Sequence, residues 1–175
     1  EKYDLSLATM EVSYMKGLMD KPEEFTTLAS FYLYKKNPAM SAKVLEKAIT
    51  NEDIDFDNTN AKLLADSWLF AKERLKSLNV IGRSLNNDPE DAKLIKQYIN
   101  IAFSAFEWDE VIRGIKKADE AGLKDDGKFA LMKGIAYFEK KSITNAKNSF
   151  IEASNSKEYK DQGIAWLEYL EALNG

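Results

Sequence analysis

Residues 127–153 read G-K-F-A-L-M-K-G-I-A-Y-F-E-K-K-S-I-T-N-A-K-N-S-F-I-E-A, and the fold follows from where the small and bulky residues fall in them. Gly134 and Tyr137 lie one helical turn apart, so they share one face of a first helix. Ala146, Phe150 and Ala153 share a face of a second helix in the same way. The small residues let two helices approach closely, and the aromatics fill the gap between them. The stretch therefore predicts a pair of antiparallel helices with a sealed seam.

The same register recurs upstream. Gly134 is preceded at matching positions by Ile99, Ala65 and Ala29, in steps of 35, 34 and 36 residues. Ala153 is preceded by Ala118, Ser84 and Ala48, with the same three steps. Two independent positions keeping one register through four units predict a repeat array rather than a coincidence. The first unit reads Phe25, Leu28, Ala29, Tyr32, then Ser41, Leu45, Ala48. The second reads Ala61, Leu64, Ala65, Trp68, then Ser77, Ile81, Ser84. The third departs most, with Ile99 and Ala102 at the small and aromatic positions. This G-x-x-Y and A-x-x-x-F spacing resembles that of the tetratricopeptide repeat (TPR). The resemblance implies an all-α, right-handed superhelical solenoid of antiparallel helix pairs, with about ten helices.

Composition bounds the function. The chain has 175 residues and a net charge of −4, with 45% hydrophobic residues, enough for a packed core. The mild acidity argues against a nucleic-acid binder, which carries a clustered basic face. Histidine and cysteine are both absent, which removes Cys-His nucleophiles, Ser-His-Asp triads and nearly all zinc sites. No apolar run approaches the roughly 18 residues needed to span a bilayer.

Along the chain the reading expects a single solenoid domain over 1–175, with four repeats at 22–53, 58–89, 92–123 and 127–154. Residues 1–20 read as an orphan helix, apolar on more than one side, and as a surface for homodimerisation. In the repeat register this segment reads as the second helix of an earlier unit whose first helix is missing, so the reading expects further repeats before Glu1. Pro22 with Glu23 and Glu24 opens the first repeat, where proline and acids suit a helix N-terminus. Asp88 before Pro89 marks a stop and restart, and Asp88 is the expected N-cap. Gly122 is expected to end one helix, and 158–173 to form a terminal cap.

Candidate chemistry is sparse. Asp53, Asp55 and Asp57 alternate as at the start of a calcium loop, but Asn58 stands where the turn glycine belongs and Leu64 where the bidentate Glu belongs. Carboxylate pairs such as Glu107 and Asp109 fall at expected turns, where they cap helices. No Gly-rich phosphate loop occurs, so the reading is of a non-enzymatic chain without cofactor or metal. Tyr32, Trp68, Tyr137 and Phe150 occupy packing positions and are read as core, and Trp108 as packing against a neighbouring unit.

The inner face is the informative one. In a superhelix of helix pairs the first helices line the concave side. The candidate partner-binding residues there are Tyr34, Lys62, Asp66, Phe70, Lys93, Lys96, Asn100, Phe103, Lys128 and Phe138. Aromatics bury partner side chains, while Lys and Asn bind backbone or acids, which suits a protein or extended peptide. Lys96 and Asn100 resemble half of the carboxylate clamp of chaperone-binding repeats. Met132 stands where that clamp wants an Asn, and the final helix supplies no matching Lys and Arg.

A closer resemblance rests on Ala42–Ile49, on Lys62-Leu-Leu-Ala-Asp-Ser-Trp68, on Gly134-Ile-Ala136 and on the ending Gln162 to Tyr169. Over nearly all of Pro22 to Tyr169 the chain resembles the periplasmic TPR proteins found beside TonB energy-transduction systems of Gram-negative bacteria. The resemblance implies a periplasmic accessory of TonB-dependent iron or nutrient uptake, with partners of the TonB/ExbB/ExbD type. It supplies no catalytic residues. The alternative is a general TPR adaptor or chaperone-type peptide binder in the cytoplasm.

Overall fold

A computed structural model describes residues 2–173, and the side chains from Leu5 onward. The described residues form ten α-helices and no strand. They are α1 (Lys2–Met15), α2 (Pro22–Tyr34), α3 (Pro38–Thr50), α4 (Asn58–Phe70), α5 (Arg74–Asn87), α6 (Ala92–Ser104), α7 (Trp108–Glu120), α8 (Lys128–Glu139), α9 (Ile143–Ser154) and α10 (Lys160–Ala172). The chain packs as two compact units that meet in sequence at Asn87 and Asp88. The first holds α1 and the hairpins α2–α3 and α4–α5; the second holds α6–α7, α8–α9 and α10.

Helix starts are written in local chemistry. Pro22 and Pro38 occupy first-turn positions, where a missing N–H loses nothing. The Glu24 carboxylate accepts from the Asp20 and Lys21 N–H groups, both at 3.1 Å. Asp57 caps α4 by accepting from Asn60 N–H at 2.8 Å, which gives one acid of the 51–57 loop a structural duty. Asp91, not Asp88, caps α6: its Oδ1 accepts from Lys93 and Leu94 N–H at 2.7 and 3.0 Å. The helix begins one turn later than Pro89 suggested, because Asp91 is the acid placed within reach of the free N–H groups.

All four hairpins turn in the same way. Each turn has three residues, and the second is left-handed: Lys36, Lys72, Phe106 and Lys141, with φ between 57° and 63°. The residue after it donates back across the helix end: Asn37 to Tyr32 O, Glu73 to Trp68 O, Glu107 to Ala102 O and Ser142 to Tyr137 O, at 2.8–3.0 Å. This Schellman closure satisfies carbonyls that would otherwise be orphaned. The left-handed residues follow one another at 36, 34 and 35 positions, the same steps as the buried small residues.

Those small residues sit where the sequence puts them. Ala29, Ala48, Ala65, Ser84, Ile99, Ala118 and Ala153 are all 1% exposed or less. In the last hairpin a Cβ on Gly134 would lie 2.4 Å from Phe150 Cε1, so the glycine is what lets the ring lie flat on α8. The irregular third repeat solves the same problem in reverse. Ile99 fills the small position of α6, and Gly114 of α7 makes room for it: a Cβ there would lie 2.7 Å from Ile99 Cγ1. The corresponding positions of the other second helices hold Val44, Val80 and Ser149.

In the first unit, Ser41 of α3 and Ser67 of α4 share a buried hydrogen bond of 2.9 Å, and Ser67 Oγ donates to Leu63 O at 2.7 Å. Ser84 Oγ donates to Asn58 Oδ1 at 2.9 Å. The buried hydroxyls are thus paired, as burial requires. Tyr14 of α1 packs edge-on against Phe25 at 6.3 Å. Tyr32 hydrogen-bonds Glu11, so α1 is tied to α2 by one ring contact and one polar contact. The α1 helix ends at Met15, short of the expected boundary at residue 20, because Gly17 turns left-handed at φ 66°. Leu5, Val12, Met15 and Leu18 are exposed.

In the second unit, α10 lies so close to α9 that a Cβ on Gly163 would fall 2.5 Å from the Ser154 backbone nitrogen. Trp166 stacks on Phe150 at 5.0 Å and 7°, and Leu170 is buried beside it. Trp108 makes its ring contacts within its own hairpin, edge-on to Phe103 at 5.7 Å and Phe106 at 5.6 Å. The left-handed turn at Phe106 folds its ring back toward Trp108.

Candidate functional site

The expected partner-binding residues all lie on the first helices of their hairpins. In the first unit, Lys62, Asp66 and Phe70 recur every four residues along α4 and so share one face. Lys62 and Phe70 are exposed, and Asp66 is half-buried. Tyr34, the last residue of α2, is exposed, with the Lys35 ammonium 5.8 Å from its ring.

In the second unit, Lys93, Lys96, Asn100 and Phe103 follow one stripe of α6. Lys128, at the start of α8, donates to Asn100 Oδ1 at 2.9 Å. That bond brings consecutive first helices onto one face and joins two of the candidates directly. The α6 helix has no carboxylate at all, and α8 has Glu139 alone, at its far end. Lys93, Lys96 and Lys128 are exposed, so the face presents three ammonium groups and an amide to solvent.

The two aromatic candidates of this unit are differently placed. Phe103 is half-buried against Trp108. Phe138 is half-buried under α10, 5.3 Å from Trp166 and 5.8 Å from Tyr169. Both still border the face, but each is already part of a ring cluster. Met132 is buried, so it belongs to the core and offers nothing to a ligand.

Some surface features were not among the candidates. Phe106 is 71% exposed at a left-handed turn position, and Leu75 is exposed at the start of α5. The signal was present in each case: an apolar residue beside a turn, out of register with the core stripe. Lys140 pairs with Asp109 at 2.8 Å and so bridges the two hairpins of the second unit. Only the structure brings those residues together.

The perturbed ionisable groups are tyrosines. Burial, then the hydrogen bond to Glu11, pushes Tyr32 up to about 12. Burial and the hydrogen bond to Glu110 push Tyr98 further up, against a partial opposing pull from Arg113, which pairs with Glu110 at 2.9 Å. Both hydroxyls stay protonated at neutral pH and serve as fixed donors.

A cleft of about 370 Å³ lies beside the α7–α8 connection, lined by Ile115, Leu123, Phe129, Asp119, Lys133 and Glu152 among others. Asp125 at its rim is engaged in accepting from Gly127 and Phe129 N–H. Among the described residues no cluster of carboxylates is arranged to hold a metal ion, and no helix is long and apolar enough to cross a membrane.

Helix pairs with this register, closed by the same turn, define a protein of the TPR-like helical solenoid class. Solved structures of MamA, a TPR-like all-helical protein, share the fold. MamA MSR-1 matches with a TM-score of 0.63 over 99% of this chain and 90% of its own, at 15% identity. MamA AMB-1 matches with a TM-score of 0.64 over 89% of each chain, at 15% identity. A further crystal structure of MamA gives 0.62 over 92% of this chain and 86% of its own, at 17% identity. No protein-family model and no curated protein matches the chain.

Proposed function

We propose that the chain is a non-enzymatic interaction scaffold that holds a protein partner, as an extended acidic peptide, along the α6–α8 face of the second unit. The observation that carries this reading is the Lys128–Asn100 hydrogen bond, which sets two hairpins side by side with their ammonium groups outward. In a chain of net charge −4, the exposed Lys93, Lys96 and Lys128 on one face, with no acid on α6, favour an anionic ligand. Helix-pair arrays present such faces to partners as a class. Titration with a Glu- and Leu-containing peptide, against its Lys-containing counterpart, tests the reading. The acidic peptide should bind, more weakly at high salt, and Lys96→Glu should weaken it about tenfold or more. Equal binding of both peptides, or no effect of Lys96→Glu, would overturn it.

The finer reading is an accessory of TonB-dependent iron or nutrient uptake, located in the periplasm, with partners of the TonB/ExbB/ExbD type. It rests on the resemblance carried by Lys62–Trp68 and Gln162–Tyr169. Capture of periplasmic segments of that complex by the wild type, and loss with Lys96→Glu, is the expected result. The second reading is a cytoplasmic adaptor or chaperone-type peptide binder, favoured by the half-clamp of Lys96 and Asn100. A peptide bound only when its C-terminal carboxylate is free would support that one. For the exposed apolar side of α1 the proposed partner is a second copy, which sedimentation of a Val12→Ser/Met15→Ser variant would test.

A further inference from the structure

The first unit carries a second surface, at the edge formed by its two hairpin turns. Ser41 is the fourth residue of α3, and Ser67 stands three residues before the end of α4. Their 2.9 Å hydrogen bond therefore sets the turn 35–37 beside the turn 71–73. Three large apolar side chains flank these turns: Tyr34 at 67% exposure, Phe70 at 66% and Leu75 at 59%. Monomeric surfaces rarely gather such residues without use.

The edge is also cationic. Residues 34–37 and 70–76 contain Lys35, Lys36, Lys72, Arg74 and Lys76, all exposed, against Glu73 alone. Five cations and one carboxylate give +4 on an edge of a chain whose total is −4. Two of these, Lys36 and Lys72, hold the left-handed turn positions and so stand at the tips.

We infer that this edge docks the first unit onto an anionic lipid bilayer surface, with Tyr34, Phe70 and Leu75 at headgroup level and the lysines against the phosphates. Three features favour lipid over a protein partner. The residues lie in and immediately beside two adjacent turns, an edge that suits a flat, yielding surface. Four of the five cations are lysines, which protein interfaces deplete and anionic bilayers attract as readily as arginine. Tyrosine and phenylalanine beside lysine are the pairing that anchors proteins at the membrane–water boundary. This is adsorption, not spanning, and it is independent of the peptide reading, which uses the other unit.

The test is co-sedimentation of the full chain with phosphatidylglycerol-containing vesicles and with pure phosphatidylcholine vesicles. Binding to the anionic vesicles alone, weakened by salt, is expected. Tyr34→Ser/Phe70→Ser should reduce partitioning by about tenfold or more, and Lys36→Glu/Lys72→Glu should do likewise. All four positions are exposed, so circular dichroism melting should leave both variants folded. Lys147→Glu and Ile151→Ser, both exposed on α9, should leave vesicle binding unchanged. Absence of binding to anionic vesicles would overturn the inference, as would binding indifferent to Phe70→Ser. Loss of acidic-peptide binding in the Tyr34→Ser/Phe70→Ser variant, with vesicles ignored by the wild type, would make the edge a protein-docking surface instead.

Discussion

Ile99 and Gly114 show most directly how single residues hold this fold. The sequence places Ile99 where other repeats have alanine or glycine, and alone it reads as a defect. The structure supplies the compensation, since the residue that must be small has moved to α7. A bulky side chain at position 114 should destabilise the protein by about 1–3 kcal/mol, and Ile99→Ala by about 2–5 kcal/mol. In the double variant Gly114→Val/Ile99→Ala the two losses should partly cancel, with a coupling of about 1 kcal/mol or more in urea unfolding. Strict additivity would refute the exchange. Tyr32 offers a second residue-scale check. Its ordinary value is 10.0, and burial with Glu11 raises it to about 12 in the fold. The unfolded tyrosine ionises first, so its contribution is intact below pH 10 and fades as pH rises toward 12. Wild-type stability should therefore fall more steeply over that window than that of Tyr32→Phe.

At the scale of elements, hairpin positions were legible because a buried helix pair demands small residues at fixed steps. Ala29, Ala65 and Gly134 announce the first helices, and Ala48 and Ala153 the second, wherever packing decides identity. Helix ends were less legible. Asp88 and Asp91 are both plausible caps, and only backbone geometry selects Asp91. The left-handed turn residues were invisible, because three lysines and a phenylalanine occupy a position where glycine is the usual signal. The α10 helix depends on one close approach, and Gly163→Ala should loosen it. The added methyl meets backbone, not a flexible side chain. The expected result is a melting temperature lower by several degrees, with reduced protection of the Trp166 stack in fluorescence quenching; an unchanged melt would contradict the packing described.

At the scale of the whole molecule, net charge is a poor guide to partners. A total of −4 conceals an acid-free helix in one unit and a basic turn edge in the other. The stripe Lys93, Lys96, Asn100 was readable from spacing, but its link to Lys128 was not, since 28 residues separate Asn100 from it. Tyr34 and Phe70 were readable as exposed, yet the first unit gathers them at its turn edge. Phe103 and Phe138 were readable as first-helix residues, but ring partners on other elements half-bury them. The functional reading stands or falls on whether the α6–α8 face receives an acidic peptide. Amide chemical-shift mapping during titration with the Glu- and Leu-containing peptide tests it most directly. Perturbations centred on Lys93, Lys96, Asn100 and Lys128 are expected; shifts centred instead on the exposed sides of α7 and α9 would rule this face out.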